Sequence, residues 1–323
     1  MEKITWGIIG CGDVTEQKSG PAFNKVPGSA LTAVMRRDAA KAEDYARRHN
    51  VPKWYDSADQ LINDPAINAI YVATPPSTHE EYTLAALNAG KPVYVEKPMA
   101  NTHAAALKMA DAAAAKNGRL VVAHYRRQQQ RFKKVKQLIT DKAIGEPLYA
   151  RIELCKPPLT KEELADPKVA WRVNPAIAGG GIFHDLAPHQ LDLMYYFFGP
   201  VEKANGVATH QGASYAADDM VTGNILFKNG VTFSGIWCFN APAAIDSCEI
   251  TGTTGKISFT VFSTNAITLS IAGKTTTHEF DDLPHVQQPM IDATVQYFLG
   301  KGPNPCSGSE GAEIMRLIEV FTG

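Results

Sequence analysis

Cysteine is scarce in this sequence: Cys11, Cys155, Cys238, Cys248 and Cys306 are the only five in 323 residues, and no C-x-x-C pair occurs. An odd, scattered set argues against a disulfide framework or a zinc ribbon and fits a reducing compartment. Charge of one sign is not in excess either. The 32 Lys and Arg stand against 33 Asp and Glu, a net of −1, which gives no support to a nucleic-acid or anionic-membrane partner. Long hydrophobic runs are missing as well: no stretch of about 18 apolar residues is present, so no membrane span is expected. The N-terminal MEKITWGIIGCG lacks the apolar core of a secretion signal and enters a strand almost at once, so a soluble, cytoplasmic protein is expected. Internal repeats and low-complexity segments are absent.

Hydrophobic residues make up 45% of the chain, an ordinary share for a globular enzyme, and 323 residues exceed what a single core usually organises. Two domains are therefore expected, 1–123 and 124–323. In the first, short apolar runs (Ile4–Ile9, Leu31–Met35, Asn68–Ala73, Pro92–Val95, Leu120–Ala123) alternate with helical patterns (Asp38–His49, Ser77–Ala89, Thr102–Lys116). Strands too apolar to face water, separated by helices, imply a doubly wound parallel sheet, an α/β Rossmann domain. The texture changes after about residue 124. Gln128–Thr140 reads as a helix, but from Gly145 onward strands dominate. Asn229-Gly230 lies between Thr222–Phe227 and Val231–Phe239, a strong hairpin signal, and a Thr-Thr-Gly turn joins Ile245–Gly252 to Lys256–Thr260. Helices near Val286–Leu299 and Ser309–Phe321 close the chain, so the second half is expected to be α+β with a mostly antiparallel sheet.

The first strand runs into Gly7-Ile8-Ile9-Gly10-Cys11-Gly12-Asp13-Val14-Thr15. Gly10 permits a tight turn, Gly12 lets backbone approach a pyrophosphate, and amides at the next helix start face its charge. Gly10, Cys11, Gly12, Asp13 and Val14 are thus candidate cofactor residues, although Thr15 replaces the fingerprint's third Gly or Ala. The second strand ends in Met35-Arg36-Arg37-Asp38. NAD-type sites place an acidic residue about where Arg36 stands; a guanidinium there, with Arg37 beside it, pairs with a 2′-phosphate and favours NADP over NAD, which stays possible. The competing reading makes both arginines solvated and Asp38 merely the next helix cap.

Two further segments carry chemistry. In VYVEKPM, Glu96-Lys97-Pro98 leaves a short strand and places Lys97 at the carboxyl edge where ligands of doubly wound sheets lie. There a lysine can polarise a substrate oxygen, whereas read alone it is an exposed loop residue. In Gly179–Asp192, helical spacing puts Asp185, His189 and Asp192 on one stripe, and a histidine between carboxylates suits proton transfer. The bland alternative has Asp185 as a helix cap with Pro188 in the first turn. A His and an Asp on one face can also share a cation, but no third ligand is evident, so no metal is expected.

Taken together, the glycine loop, the Glu96-Lys97-Pro98 tripeptide and the run from Gly180 to His189 resemble, in order and separation, the Gfo/Idh/MocA family of oxidoreductases. The resemblance covers essentially the whole length, and Thr74-Pro75-Pro76 with His79 resemble its segment beside the nicotinamide ribose. It implies a Rossmann domain followed by an open antiparallel sheet, and adds Thr74, Pro75, His79 and Glu96 to the cofactor set. It also implies that Lys97, Asp185 and His189 are catalytic on a carbohydrate-like substrate, a sugar or polyol. Tyr125-Arg126 and Trp171-Arg172 are weaker substrate candidates, or domain packing in which Arg stems cover apolar surface. A homo-oligomer, dimer or tetramer, through the C-terminal sheet is implied too. Two other functions stand beside the dehydrogenase: a glycoside hydrolase using a tightly held nicotinamide transiently, against which Arg36 argues, and a non-catalytic cofactor-binding protein.

Overall fold

The computed structural model describes residues 2–212 and 214–323. Within it the chain forms two compact units, residues 1–128 with 283–315 and residues 129–282 with 316–323.

In the first unit, β1 (Ile4–Ile9), β2 (Ser29–Met35), β3 (Lys53–Tyr55), β4 (Ala69–Val72), β5 (Val93–Val95) and β6 (Leu120–Val122) form one sheet in the order β3-β2-β1-β4-β5-β6. Every pairing in it is parallel. Strands β4, β5 and β6 are buried along their whole length, which is why they read as unbroken apolar runs rather than alternating ones. Helices α1 (Asp13–Gln17), α2 (Ala39–Arg48), α3 (Ala58–Asn63), α4 (His79–Asn88) and α5 (His103–Ala115) make the crossovers. Two start at side-chain caps: Asp38 accepts from the Lys41 amide and Thr102 from that of Ala105, each at 3.2 Å. The core centres on Trp6, wholly buried, 4.8 Å from the Phe23 ring and donating from Nε1 to Ser29 Oγ at 3.0 Å. Each large apolar side chain buried this way stabilises by about 1.5–3 kcal/mol relative to exposure.

In the second unit α6 (Gln130–Thr140) precedes β7 (Pro147–Cys155). Three short pieces, α7 (Lys161–Ala165), α8 (Pro167–Ala170) and α9 (Pro175–Ala178), lead to the long α10 (Ile182–Phe198). Strands β8 (Val201–Thr209), β9 (Met220–Phe227), β10 (Thr232–Cys238), β11 (Ile245–Gly252), β12 (Gly255–Phe259), β13 (Ala266–Ile271) and β14 (Lys274–Glu279) follow. The eight-stranded sheet has the order β14-β13-β12-β11-β7-β10-β9-β8 and is antiparallel except where β7 meets β10. Its inner residues alternate with exposed ones, and helices cover that face: Phe183 of α10 packs edge-on to Trp237 at 5.2 Å, and Phe198 lies 5.3 Å from Phe227. The outer face leaves Tyr149, Val207, Ile236 and Ile245 exposed.

After β14 the chain enters α11 (Gln288–Phe298) and α12 (Gly308–Thr322). The first belongs to the first unit: Met290, Ile291, Val295 and Phe298 are wholly buried in its core, with Phe298 5.6 Å from Trp6. Each compact unit is thus assembled from two separate stretches of chain, and residues 283–315 join the first because the apolar face of α11 fits the parallel-sheet core. The last turns of α12 belong to the second unit, where Gly206 and Gly223, paired across β8 and β9, leave a slot for Phe321. A Cβ on Gly223 would lie 2.3 Å from the Phe321 ring. Gly223→Ala is expected to lower the thermal midpoint by several degrees, since overpacking costs about 1–3 kcal/mol. An unchanged midpoint in a calorimetric scan would show that Phe321 is not seated there.

Candidate active site

The glycine turn sits at the carboxyl end of β1, beside β4, where the strand order of the first sheet reverses. Gly10 has φ +93°, and a Cβ there would meet Thr74 at 2.7 Å, so glycine is required for β1 to pass the β4 loop. Gly12 differs: a Cβ would approach only the Gly10 carbonyl oxygen, at 3.9 Å, so the space before the α1 amides stays open. Cys11 is buried, and burial pushes its thiol up to about 11, which leaves it unreactive. Asp13 is exposed and Val14 half-buried. The Thr15 departure from the glycine fingerprint is accommodated locally. Its hydroxyl donates to the Gly12 carbonyl at 2.8 Å, and its own carbonyl accepts from Tyr45 at 2.7 Å.

Arg36 and Arg37 are both exposed at the end of β2. Arg36 does not simply extend into water: Nη1 donates to the Cys11 carbonyl at 3.3 Å, laying the guanidinium across the glycine turn. Asp38 is the α2 cap, so that reading holds for Asp38 while Arg36 has a separate placement.

At the ends of β4 and β5 the predicted residues form a buried brace. His79 is wholly buried, with Nδ1 3.0 Å from the Pro98 carbonyl oxygen and Nε2 2.7 Å from that of Thr74. Both ring nitrogens thus face backbone carbonyl oxygens, and burial keeps the pKa below the ordinary imidazole value. His79 thus ties the Thr74-Pro75 loop to the loop after Lys97, and its ring faces backbone. Thr74 is half-buried, with its hydroxyl accepting from Thr78 at 2.8 Å, and Pro75 is exposed. Glu96 is likewise buried, accepting from the Tyr71 hydroxyl, from Gln287 Nε2 at 2.6 Å and from the Lys97 amide at 3.1 Å. Lys97 is half-buried. Past β6, Tyr125 is part of the core and Arg126 lies over its ring at 5.5 Å. His124 is buried, and burial with the Arg127 and Lys97 charges holds it well below the ordinary histidine range.

In the second unit α10 starts at Ile182 with Gly181 at the cap position, so Asp185 lies inside the helix and the capping alternative does not hold. Pro188 is correspondingly in the second turn, where it deprives the His184 carbonyl of its helical donor. Asp185, His189 and Asp192 share one stripe, half-buried, 5% exposed and 1% exposed respectively. Arg172 Nε stands 3.6 Å from Asp185 Oδ2, and its guanidinium stacks over Trp171 at 4.7 Å. The glycines before α10 admit neighbours: a Cβ on Gly180 would strike the His184 ring, and one on Gly181 the Tyr215 ring at 2.7 Å. Phe262 meets His189 edge-on at 5.7 Å, on a loop whose Val261, Phe262 and Ser263 amides donate to Asp246. Sequence reasoning missed Tyr71, Tyr215, Asp246, Phe262 and Gln287, since each arrives through a long-range contact that no local motif marks. Among the described residues no cluster of three His, Cys, Asp or Glu side chains is arranged to hold a metal ion, and no helix is long and apolar enough to cross a membrane.

Burial draws His184 down from 6.5 to about 4. A histidine whose folded pKa lies below its unfolded value stabilises fully above about 6.5 and loses that contribution as pH falls toward about 4, on the order of 3 kcal/mol in all. His79 and His124 act in the same direction. Urea midpoints are expected to fall over this window, and less steeply in His184→Gln; an identical slope in the variant would contradict the assignment.

Comparison with known proteins agrees with this arrangement. Residues 4–124 match the family described as the oxidoreductase family with an NAD-binding Rossmann fold, and residues 132–258 match the GFO/IDH/MocA C-terminal domain. A Formosa agariphila protein named Oxidoreductase P35 is 46% identical over 322 residues, 99% of each chain. A 1,5-anhydro-D-fructose reductase of Ensifer adhaerens is 29% identical over 78% of this chain and 74% of its own. The structure of an aldose-aldose oxidoreductase from Caulobacter crescentus superposes with a TM-score of 0.86 at 24% identity, over 98% of this chain and 96% of that one, a likeness of fold. The chain belongs to the Gfo/Idh/MocA family and is an oxidoreductase with a nicotinamide-binding Rossmann domain.

Proposed function

We propose that this oxidoreductase is NADP-dependent and acts on a carbonyl or hydroxyl of a sugar, polyol or related small molecule. The observation that carries the cofactor choice is Arg36, whose guanidinium lies over the glycine turn within 3.3 Å of the Cys11 carbonyl. An exposed arginine at this strand end offers a 2′-phosphate two parallel N–H donors, where an acidic residue would repel it. Gly10, Cys11, Gly12, Asp13 and Val14 line the turn, Arg37 adds charge, and Thr74 and Pro75 would border the nicotinamide ribose of a bound cofactor. His79 and Glu96 serve by bracing those loops.

The nicotinamide, when bound, supplies or accepts hydride at C4. The chain handles the proton and the oxygen. In the reductive direction His189, as imidazolium, gives its proton to the carbonyl oxygen; in oxidation the neutral ring takes the hydroxyl proton. Lys97 holds that oxygen by its ammonium. Asp185, with Arg172 as counter-charge, accepts a bond from a neighbouring substrate hydroxyl. Tyr125, Arg126 and Trp171 act through packing. Residues 1–123 supply the cofactor site, and residues 124–323 select the substrate and, through the exposed Tyr149, Val207, Ile236 and Ile245 on the outer sheet face, pair copies of the chain into a homo-oligomer.

A relative named for 1,5-anhydro-D-fructose reduction and a fold neighbour named for aldose chemistry support the substrate class. The test is turnover with keto-sugars and aldoses, following NADPH, and with cyclitols, following NADP reduction. Net NADPH loss in step with product is expected. Product formation at constant NADPH would favour the hydrolase that uses nicotinamide transiently.

A further inference from the structure

Beneath Lys97 the first unit buries a carboxylate. Glu96 is 6% exposed, at the hydroxyl end of the wholly buried Tyr71, whose ring stacks on that of Tyr94 at 5.0 Å. A carboxylate in such surroundings is stable only with its oxygens bonded, and here each oxygen has a distinct task. Oε2 accepts the peptide N–H of the next residue, Lys97, at 3.1 Å. Oε1 accepts from the Tyr71 hydroxyl and from Gln287 Nε2, the latter at 2.6 Å. The direction of the Gln287 carboxamide is itself fixed, since its oxygen accepts from the Tyr94 hydroxyl at 2.9 Å.

Gln287 comes from the segment that returns to the first unit after β14, and it is wholly buried. Its backbone N–H donates to the Lys18 carbonyl at 3.2 Å, and His285, two residues earlier, sets Nδ1 2.7 Å from the Gln17 carbonyl oxygen. The same short segment therefore holds the end of α1, the helix that opens at the glycine turn, and the carboxylate that orients the Lys97 peptide. No motif in the sequence includes it.

We propose that Gln287 is a positioning residue for Lys97, acting through Glu96: it fixes the carboxylate, which fixes the Lys97 peptide and hence the origin of the side chain. This deepens the reading of Lys97 as the residue that holds the substrate oxygen. The bond from Lys97 N–H to Glu96 is the link on which the inference turns, and it can be read without substrate.

The experiment labels the protein with 15N-lysine, assigns the Lys97 amide by its absence in Lys97→Arg, and measures its position and hydrogen exchange in wild type and Gln287→Leu. Loss of one buried donor is expected to shift the Lys97 amide resonance and to speed its exchange about tenfold, while the other lysine amides keep their rates. Tyr94→Phe retains the ring and removes only the hydroxyl bond to Gln287; it is expected to move the same resonance in the same direction by less, and serves if Gln287→Leu does not fold. A Lys97 amide unmoved in a folded variant, or faster exchange at all lysines together, overturns the inference. Full turnover in Lys97→Ala would instead remove the oxygen-holding role of Lys97 and leave the positioning link standing.

Discussion

Replacing His189 by alanine is expected to lower kcat by about 10²–10⁴-fold, the range that a positioned general acid or base contributes, while NADPH binds as in wild type. The residue stands on the stripe of α10 shared by Asp185 and Asp192, is 5% exposed, and is flanked by the Phe262 ring. Such packing limits the ring's rotation, which the proposed proton transfer requires. Asp185→Asn is expected to act differently. It removes a charge beside Arg172 but retains a hydrogen-bonding group, so KM should rise more than kcat falls. Steady-state kinetics with nicotinamide fluorescence titrations separate the two. A His189→Ala enzyme with near wild-type kcat would remove histidine from the chemistry and move the proton to another group.

Arg36→Ala is expected to weaken NADPH binding by about 10–100-fold, because charge-assisted hydrogen bonds are worth roughly 1.5–3 kcal/mol. NADH affinity should stay near its wild-type value, since NADH has no 2′-phosphate. Arg37→Ala should reproduce the direction with a smaller effect, as that side chain has no bond to the glycine turn. The check is Kd for both cofactors from nicotinamide fluorescence, repeated at raised salt, which screens an exposed arginine. Equal weakening toward NADPH and NADH would mean that Arg36 only shapes the turn through the Cys11 carbonyl.

What could be read from sequence followed from burial. Strand β1 forms at the residues its apolar run marks, Ile4–Ile9, and β4 and β5 lie within a residue of theirs, because a strand covered on both faces must be apolar throughout. The Asn229-Gly230 hairpin was legible because Gly230 takes φ +87° there. Strand β3, Lys53–Tyr55, was not: it is a three-residue edge strand with two exposed residues, too short and too open to show a period. The short α3 escaped for similar reasons. In the site, the glycine turn and the strand-end lysine were legible because each is a local chain device. The start of α10 was less so: Asp185 suits a cap by type, but crowding by Tyr215 and His184 requires glycine earlier and moves the cap to Gly181. Gln287 and Phe262 carried no signal, since what defines them is the partner they meet far along the chain.

The most direct test of net hydride transfer uses NADPH deuterated at C4 with the best carbonyl compound from the turnover assay, followed by mass spectrometry of the product. The account predicts one deuterium on the former carbonyl carbon and one NADP formed for each product molecule. Product without deuterium, at constant NADPH, would contradict it.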